Sequence, residues 1–225
     1  MTTTRRRGGA MSEVRRRRLR LEISREASRL FWRQGVEATS GDQIAEAVGL
    51  STRTIWRHFR TKESCAEPIV ARGVERGVTL LRAWPPHLSL EEHAAAERTG
   101  HVREAGADAL ADDDRLAMRL VVLGEREPAL RTAWLMACDR IERELRPVIA
   151  ERLGLAADDR RVRPHAAAAA AALRVHNEHV AVALLAGGDP LRRLDTPAHL
   201  ARAVRTATGG AVGDAIARRP GHPPP

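Results

Sequence analysis

Residues 39–62 read TSGDQIAEAVGLSTRTIWRHFRTK, and their pattern is that of two short helices joined by a tight turn. Ile44, Ala45, Val48, Leu50, Ile55 and Phe59 recur at helical spacing and supply an apolar seam. Ser40 followed three residues later by Gln43 fits a capping box, in which each side chain satisfies an orphan backbone N–H. Gly49 stands where the first helix must stop, because it accepts the left-handed backbone of a helix C-terminus. Ser51 suits the N-cap of the second helix. Helix, glycine turn and helix form the pattern of a helix-turn-helix reader, although an ordinary helical hairpin shares it.

The second helix separates these two readings. Thr52, Arg53, Thr54, Trp56, Arg57 and His58 occupy the faces not used by Ile55 and Phe59. A helix that only packs has little use for so many donors with few acids nearby. Over roughly residues 15–70 the chain also resembles the TetR-type (tetracycline-repressor) transcriptional regulators. The residues that carry the resemblance are GVEATSGDQIAEAVGLSTRTIWRHFRTKE, from the glycine through Ile44-Ala45, Gly49-Leu50-Ser51 and the aromatic–His–Phe run to the lysine. The resemblance implies an all-α fold, with an N-terminal three-helix DNA-binding domain followed by a helical ligand-binding and dimerisation domain.

The chain has 225 residues and a net charge of +9, and the location of that charge is informative. Residues 1–62 hold 14 Arg and one Lys against six acids, so 15 − 6 = +9; the remaining 23 basic and 23 acidic residues cancel. All the excess therefore sits in the first quarter, the footprint of a polyanion-binding module on a neutral partner. Arg15–Arg18 lack a strongly apolar opposite face, which disfavours a membrane surface. No run of about 18 apolar residues suggests a spanning helix. Cys65 and Cys138 are isolated, without metal spacing or a disulfide framework. The expected location is the cytoplasm. Abundant Ala, Arg and Leu, with no Tyr, favour helices.

In chain order, residues 1–12 read as a disordered basic tail. Arg5, Arg6 and Arg7 either follow a DNA groove as an arm or only solubilise. A first helix is expected from Glu13 to Gln34, with Arg15–Arg18 and Arg20 solvated near phosphates, and the DNA-binding domain over 13–62. Thr61 can cap a fourth helix, over about 62–84, with the lone lysine Lys62 in its first turn. Pro68 removes a donor inside it, so a kink or restart near Glu67 is expected. Helices then follow over 90–111, 115–124, 128–153, 160–186 and 191–217 within a regulatory domain of residues 85–219. The tail 220–225 is expected to be disordered.

The alanine run 166–172 permits close helix approach. It either fills a monomer core or, with the last helix, forms an isologous four-helix dimer interface (160–186 and 191–217), as the resembled family does. A small apolar effector is expected among Trp84, His101, Leu110, Met118, Arg119, Trp134 and Cys138, each of which also suits a plain core. His176 and His179 match neither H-E-x-x-H nor H-x-x-E-H. A polar helix patch accounts for them better than a metal site or an enzyme. No cofactor, metal or catalytic residue is expected.

The resulting expectation is a ligand-responsive regulator, in the family's usual mode a repressor, binding a palindromic double-stranded DNA operator as a homodimer. Thr52, Arg53 and Arg57 are the candidates for base edges, Arg being the commonest reader of guanine. Thr39, Ser40, Thr54, Trp56, His58 and Lys62 would set register on phosphates. Position 56 is usually tyrosine in the resembled family, and Trp56 offers an indole N–H in its place. The rival readings are a nucleoid-type DNA binder without a ligand and, further off, a metal protein or enzyme using His176 and His179.

Overall fold

In the computed structural model, which describes residues 6–105, 112–186 and 196–216, every regular element among those residues is a helix. They are α1 (Arg6–Gln34), α2 (Gly41–Ala47), α3 (Thr52–His58), a 3₁₀ turn (Glu63–Ala66), α4 (Glu67–Arg82) and α5 (Leu90–Ala105). After these come α6 (Asp112–Leu123), α7 (Pro128–Leu153), α8 (Val162–Leu185) and α9 (Thr196–Ala207). The chain divides into two compact units, Met1–Gly73 with Ala111–Leu135, and Val74–Leu110 with Met136–Pro225.

In the first unit the expected stripe of α1 is buried: Ile23, Ala27, Leu30 and Phe31 face inward with Ile44, Ile55 and Phe59. The helix starts at Arg6 rather than at Glu13, which corrects the expectation for residues 6–12. Once a helix is nucleated, each added residue gains a hydrogen bond at little further cost. Residues 1–5, and with them Arg5 of the expected arm, lie outside the described residues.

The fourth helix shows how Pro68 is tolerated. Thr61 and Ser64 cap each other reciprocally, Ser64 N donating to Thr61 Oγ1 at 3.2 Å and Thr61 N to Ser64 Oγ at 3.3 Å. That turn is 3₁₀, and the α-helix restarts at Glu67. Pro68 thus falls in a first turn, where its missing N–H would be an orphan anyway. The next N–H, of Ile69, is satisfied by the buried Ser24 hydroxyl of α1 at 3.2 Å.

Residues 111–135 join this unit, a division that cuts across the expected boundary at residue 85. The tie is Asp113 in the first turn of α6, a buried carboxylate. Arg25 of α1 donates to it twice, Nε at 2.7 Å and Nη2 at 2.8 Å, and Arg72 of α4 lies 2.9 Å away. One carboxylate therefore fastens α1, α4 and α6. Its hydrogen bond holds the Arg25 guanidinium above its ordinary pKa.

In the second unit α9 packs on α8 and α5. Ala166, Ala169 and Ala170 are buried within the unit, so that part of the alanine run fills the chain's own core. Val175 and Val182, one heptad apart on α8, are 40% and 55% exposed. The last helix ends at Ala207, not at 217. Thr208 Oγ1 donates back to Val204 O at 2.8 Å, and Gly209 and Gly210 turn left-handed. The chain then returns along α5, where Leu90 N donates to Gly213 O and Ile216 N to Pro86 O, each at 2.8 Å. The helix expected over 90–111 is observed to Ala105, and 106–111 lie outside the described residues.

Arg152 pins this return. Its guanidinium sits 3.2 Å from the Trp84 ring centroid and donates to Pro85 O (2.7 Å), Asp214 O (2.9 Å) and Leu88 O (3.2 Å). Burial lowers its pKa to about 10, yet it stays charged at neutral pH among carbonyl dipoles.

Replacing Asp113 by Ala strands two guanidiniums. Hydrogen bonds to charged groups contribute about 2 kcal/mol net, so the variant is expected to unfold roughly 6 °C lower for a chain of this size. A thermal melt within 1 °C or so of the unaltered protein's would remove Asp113 as the fastening point.

Candidate nucleic-acid interface

The two short helices form as their sequence directs. Gln43 N donates to Ser40 Oγ at 3.2 Å while Ser40 N donates to Gln43 Oε1 at 2.9 Å, closing the capping box. Gly49 takes φ +67°, and Leu50 N reaches Ala45 O at 2.9 Å, which ends α2. Ser51 Oγ accepts from Thr54 N at 3.3 Å at the start of α3. The buried side of α3 is Ile55, fully enclosed, followed by Phe59 at 4% exposure.

The opposite side presents the expected readers. Arg53 and Arg57 are exposed, and among the described residues neither is engaged in an ion pair or side-chain hydrogen bond. Two guanidiniums left without acids on a helix anchored from behind are placed for an anionic or hydrogen-bonding partner. Thr52 is partly committed, its hydroxyl donating to Asp42 Oδ1 at 2.6 Å. Its oxygen keeps only acceptor capacity while that bond holds.

The expected phosphate set divides by exposure. Ser40 is exposed and Thr54 and His58 are half-buried. Lys62 Nζ donates to Glu37 O at 3.1 Å, which leaves two of its three ammonium hydrogens. Thr39 does not fit that role: it is 1% exposed and its hydroxyl donates to Gly35 O at 2.7 Å. Its task is to shape the turn between α1 and α2. His58 is held below its ordinary pKa, first by burial and then by the charges of Arg57, Arg20 and Arg16.

Three contacts here have no local signal in the sequence, and the first corrects the expectation that Arg20 is solvated near phosphates. Arg20 of α1 donates to the His58 carbonyl and stacks over the Phe59 ring, 4.4 Å from its centroid. Arg16 is near enough for its charge to act on His58. Trp56 is 43% exposed, but its indole lies over Gly41, where an added Cβ would fall 2.2 Å from Cζ2. A basic run does not announce which of its arginines turns inward. The sequence separation of Gly41 from Trp56 hides their contact in the same way.

The expected ligand residues are dispersed in their tasks. Trp84 is buried, donates Nε1–H to Leu88 O at 2.9 Å and lies against Arg152, so it acts as a structural post. Trp134 and Cys138 are buried at 5% and 7%, and Met118 is half-buried. Arg119 stacks 5.2 Å from the Trp32 centroid, and among the described residues its buried Nε has no hydrogen-bond partner. Leu110 lies outside the described residues; His101 is within α5, and its side chain lies outside them as well. His176 is kept below its ordinary pKa by burial and then by His199 and His179. Among the described residues no group of three potential metal ligands converges.

The family model for bacterial regulatory proteins of the tetR family matches residues 23–69, the segment from the buried part of α1 through the 3₁₀ turn into α4. The HTH-type transcriptional regulator TcmR of Streptomyces glaucescens is 34% identical over 155 residues, which span 68% of each chain. GusR of Salmonella enterica superposes with a TM-score of 0.57 at 22% identity, covering 85% of this chain and 94% of its own, a likeness of fold.

Gly41→Ala drives a methyl group into the Trp56 ring, and overpacking of this kind costs about 1–3 kcal/mol. Chemical denaturation is expected to register that loss, and the double variant Gly41→Ala/Trp56→Ala to recover most of it. Equal losses in the single and double variants would mean that the two residues do not interact.

Proposed function

This chain belongs to the TetR family of bacterial regulatory proteins, and we propose that it is a ligand-responsive repressor that reads a palindromic operator as a dimer through α3. It is a DNA-binding transcriptional regulator, not an enzyme. The observation that supports the finer reading is the pair Arg53 and Arg57, exposed and without acidic partners on a helix whose other side is buried. In a major groove these guanidiniums take guanine O6 and N7, with Thr52 accepting from a base or contacting a thymine methyl. Ser40, Thr54, Trp56, His58 and Lys62 contact phosphates and set the register.

Dimerisation is assigned to the outer faces of α8 and α9. Val175 and Val182 are the exposed apolar residues that support it, and two copies of α3 then meet half-sites about 34–36 Å apart. An apolar effector in the helical region 85–219 favours a dimer geometry that no longer matches the operator, through its differential affinity for two states. Its candidate contacts are Met118, Arg119 and Trp134 of the first unit and His101, Leu110 and Cys138 of the second, each taken within its own unit, whereas Trp84 is assigned to structure. α4 and α7, which each contribute residues to both units, carry the coupling.

DNA selected in vitro on the purified protein tests this reading. An inverted repeat is expected; recovery of no preferred sequence would leave a nucleoid-type binder instead. On the selected operator, Arg53→Ala is expected to cost about 1–3 kcal/mol and to relax preference at one base pair. Lys62→Ala should weaken all sequences alike and reduce the salt slope by about 1. If Arg53→Ala bound every sequence as the unaltered protein does, α3 would not be the reader.

His58 gives the binding a pH dependence of known sign. Its lowered pKa keeps it neutral in the free protein near pH 7, and an adjacent phosphate favours the imidazolium. Binding then takes up a proton, so affinity rises as the pH falls from 8 to 6, an effect that His58→Asn should remove. Stability moves the other way. The unfolded chain binds this proton more readily, so the stability contributed above about pH 6.5 is lost as the pH falls through the folded value. An affinity that fell on acidification, with His58→Asn behaving identically, would detach His58 from the phosphates.

A further inference from the structure

Residues 12–18 of α1, Ser12-Glu13-Val14-Arg15-Arg16-Arg17-Arg18, are exposed on every side of the helix. Burial begins only past Leu21, at Ile23. α1 therefore projects beyond the helical unit that anchors it. From residue 12 to residue 18 the projection is roughly 10 Å long at 1.5 Å per residue.

Nothing in the packing accounts for this projection. Four successive arginines spread around the helix at about 100° intervals, and Arg15 and Arg18 repel at i, i+3. The single acid within the segment is Glu13, paired with Arg16 at 3.1 Å on an exposed surface, where such a pair contributes about 0–1 kcal/mol. Its position is the second observation. Arg20, one turn further on, bonds the His58 carbonyl at the end of α3, and the charge of Arg16 acts on His58 itself. The projection thus starts where the reading helix ends and continues the same basic surface.

We propose that the exposed segment 12–18 of α1 is a second DNA-contacting element, in which Arg15, Arg17 and Arg18 bind backbone phosphates flanking the half-site without reading sequence. It rests on the DNA-binding reading of α3 and adds to it a surface whose only recognition chemistry is positive charge. Arg16, held by Glu13 and directed to the α3 side, adds less.

The test is a salt titration of binding by fluorescence anisotropy, using the full chain and a duplex that extends about 15 base pairs beyond the selected operator on each side. Each phosphate contact adds about 0.9 to the slope of log affinity against log salt. The triple variant Arg15→Gln/Arg17→Gln/Arg18→Gln is therefore expected to lower the slope by about 2.7 per bound protomer and the affinity at 0.1 M salt on the order of 100-fold. The loss should be equal for the operator and for a scrambled duplex. Lysines at the same three positions should restore it, because phosphate recognition needs charge and not a guanidinium fork.

A control removes the same charge from the second unit, with Arg160→Gln/Arg163→Gln/Arg202→Gln. An equal fall in slope for both sets would reduce the effect to net charge and overturn the proposal. So would an unchanged slope in the first set, or failure of lysine to rescue. Binding of these arginines to anionic phosphatidylserine vesicles with no change in the DNA slope would overturn it in favour of a membrane surface. If the unaltered protein bound no DNA at all, the reading of α3 would fail first, a distinct result.

Discussion

A hydrogen bond from the Arg20 guanidinium to the carbonyl of His58 ties the end of α3, the proposed reading helix, to α1. α3 has only seven residues, well short of the dozen or more that an isolated helix needs in water. Its conformation comes from its surroundings: the Ser51 cap, the enclosure of Ile55 and Phe59, the indole of Trp56 on Gly41, and Arg20 closing its far end. Arg20 also covers the Phe59 ring, so one side chain both satisfies an end carbonyl and seals the edge of the core. Without such ties Arg53 and Arg57 would have no fixed direction, and specific contacts need a rigid platform.

The arginines of this chain do three different kinds of work, and their surroundings sort them. Arg25 and Arg72 converge on Asp113, where a buried carboxylate requires partners. Among the described residues Arg152 pairs with no carboxylate, and it is held by carbonyl oxygens and a tryptophan face, an arrangement that suits a delocalised, weakly hydrated cation. Arg53, Arg57 and the run from Arg15 to Arg18 stand at the surface. All are the same residue type, and the last group supplies six of the 14 arginines in the first 62 residues.

Much of the candidate interface was legible because its signals are local. The capping box of Ser40 and Gln43, the left-handed Gly49 and the Ser51 cap each concern residues within about one turn, where spacing alone dictates geometry. The buried stripe of α1 and the bounds of α7 follow from periodicity in the same way. Distant partners are what local pattern does not show. Thr39, expected on a phosphate, is buried against the turn. Trp84, expected among the ligand contacts, lies against Arg152. The last helix was extended over Gly209 and Gly210, whose left-handed backbone turns the chain back towards Leu90.

The sequence by itself determined the helical class, the helix-turn-helix, the family resemblance and the confinement of the positive charge to one end. These depend on period, composition and short-range caps, which are properties of neighbouring residues. Only the tertiary structure decided which arginines are spent internally, that α6 is fastened to the first unit through Asp113, and that α1 runs out beyond its own packing. Those outcomes depend on contacts between residues far apart in the chain, such as Arg20 with His58 and Arg25 with Asp113, and no local pattern encodes them.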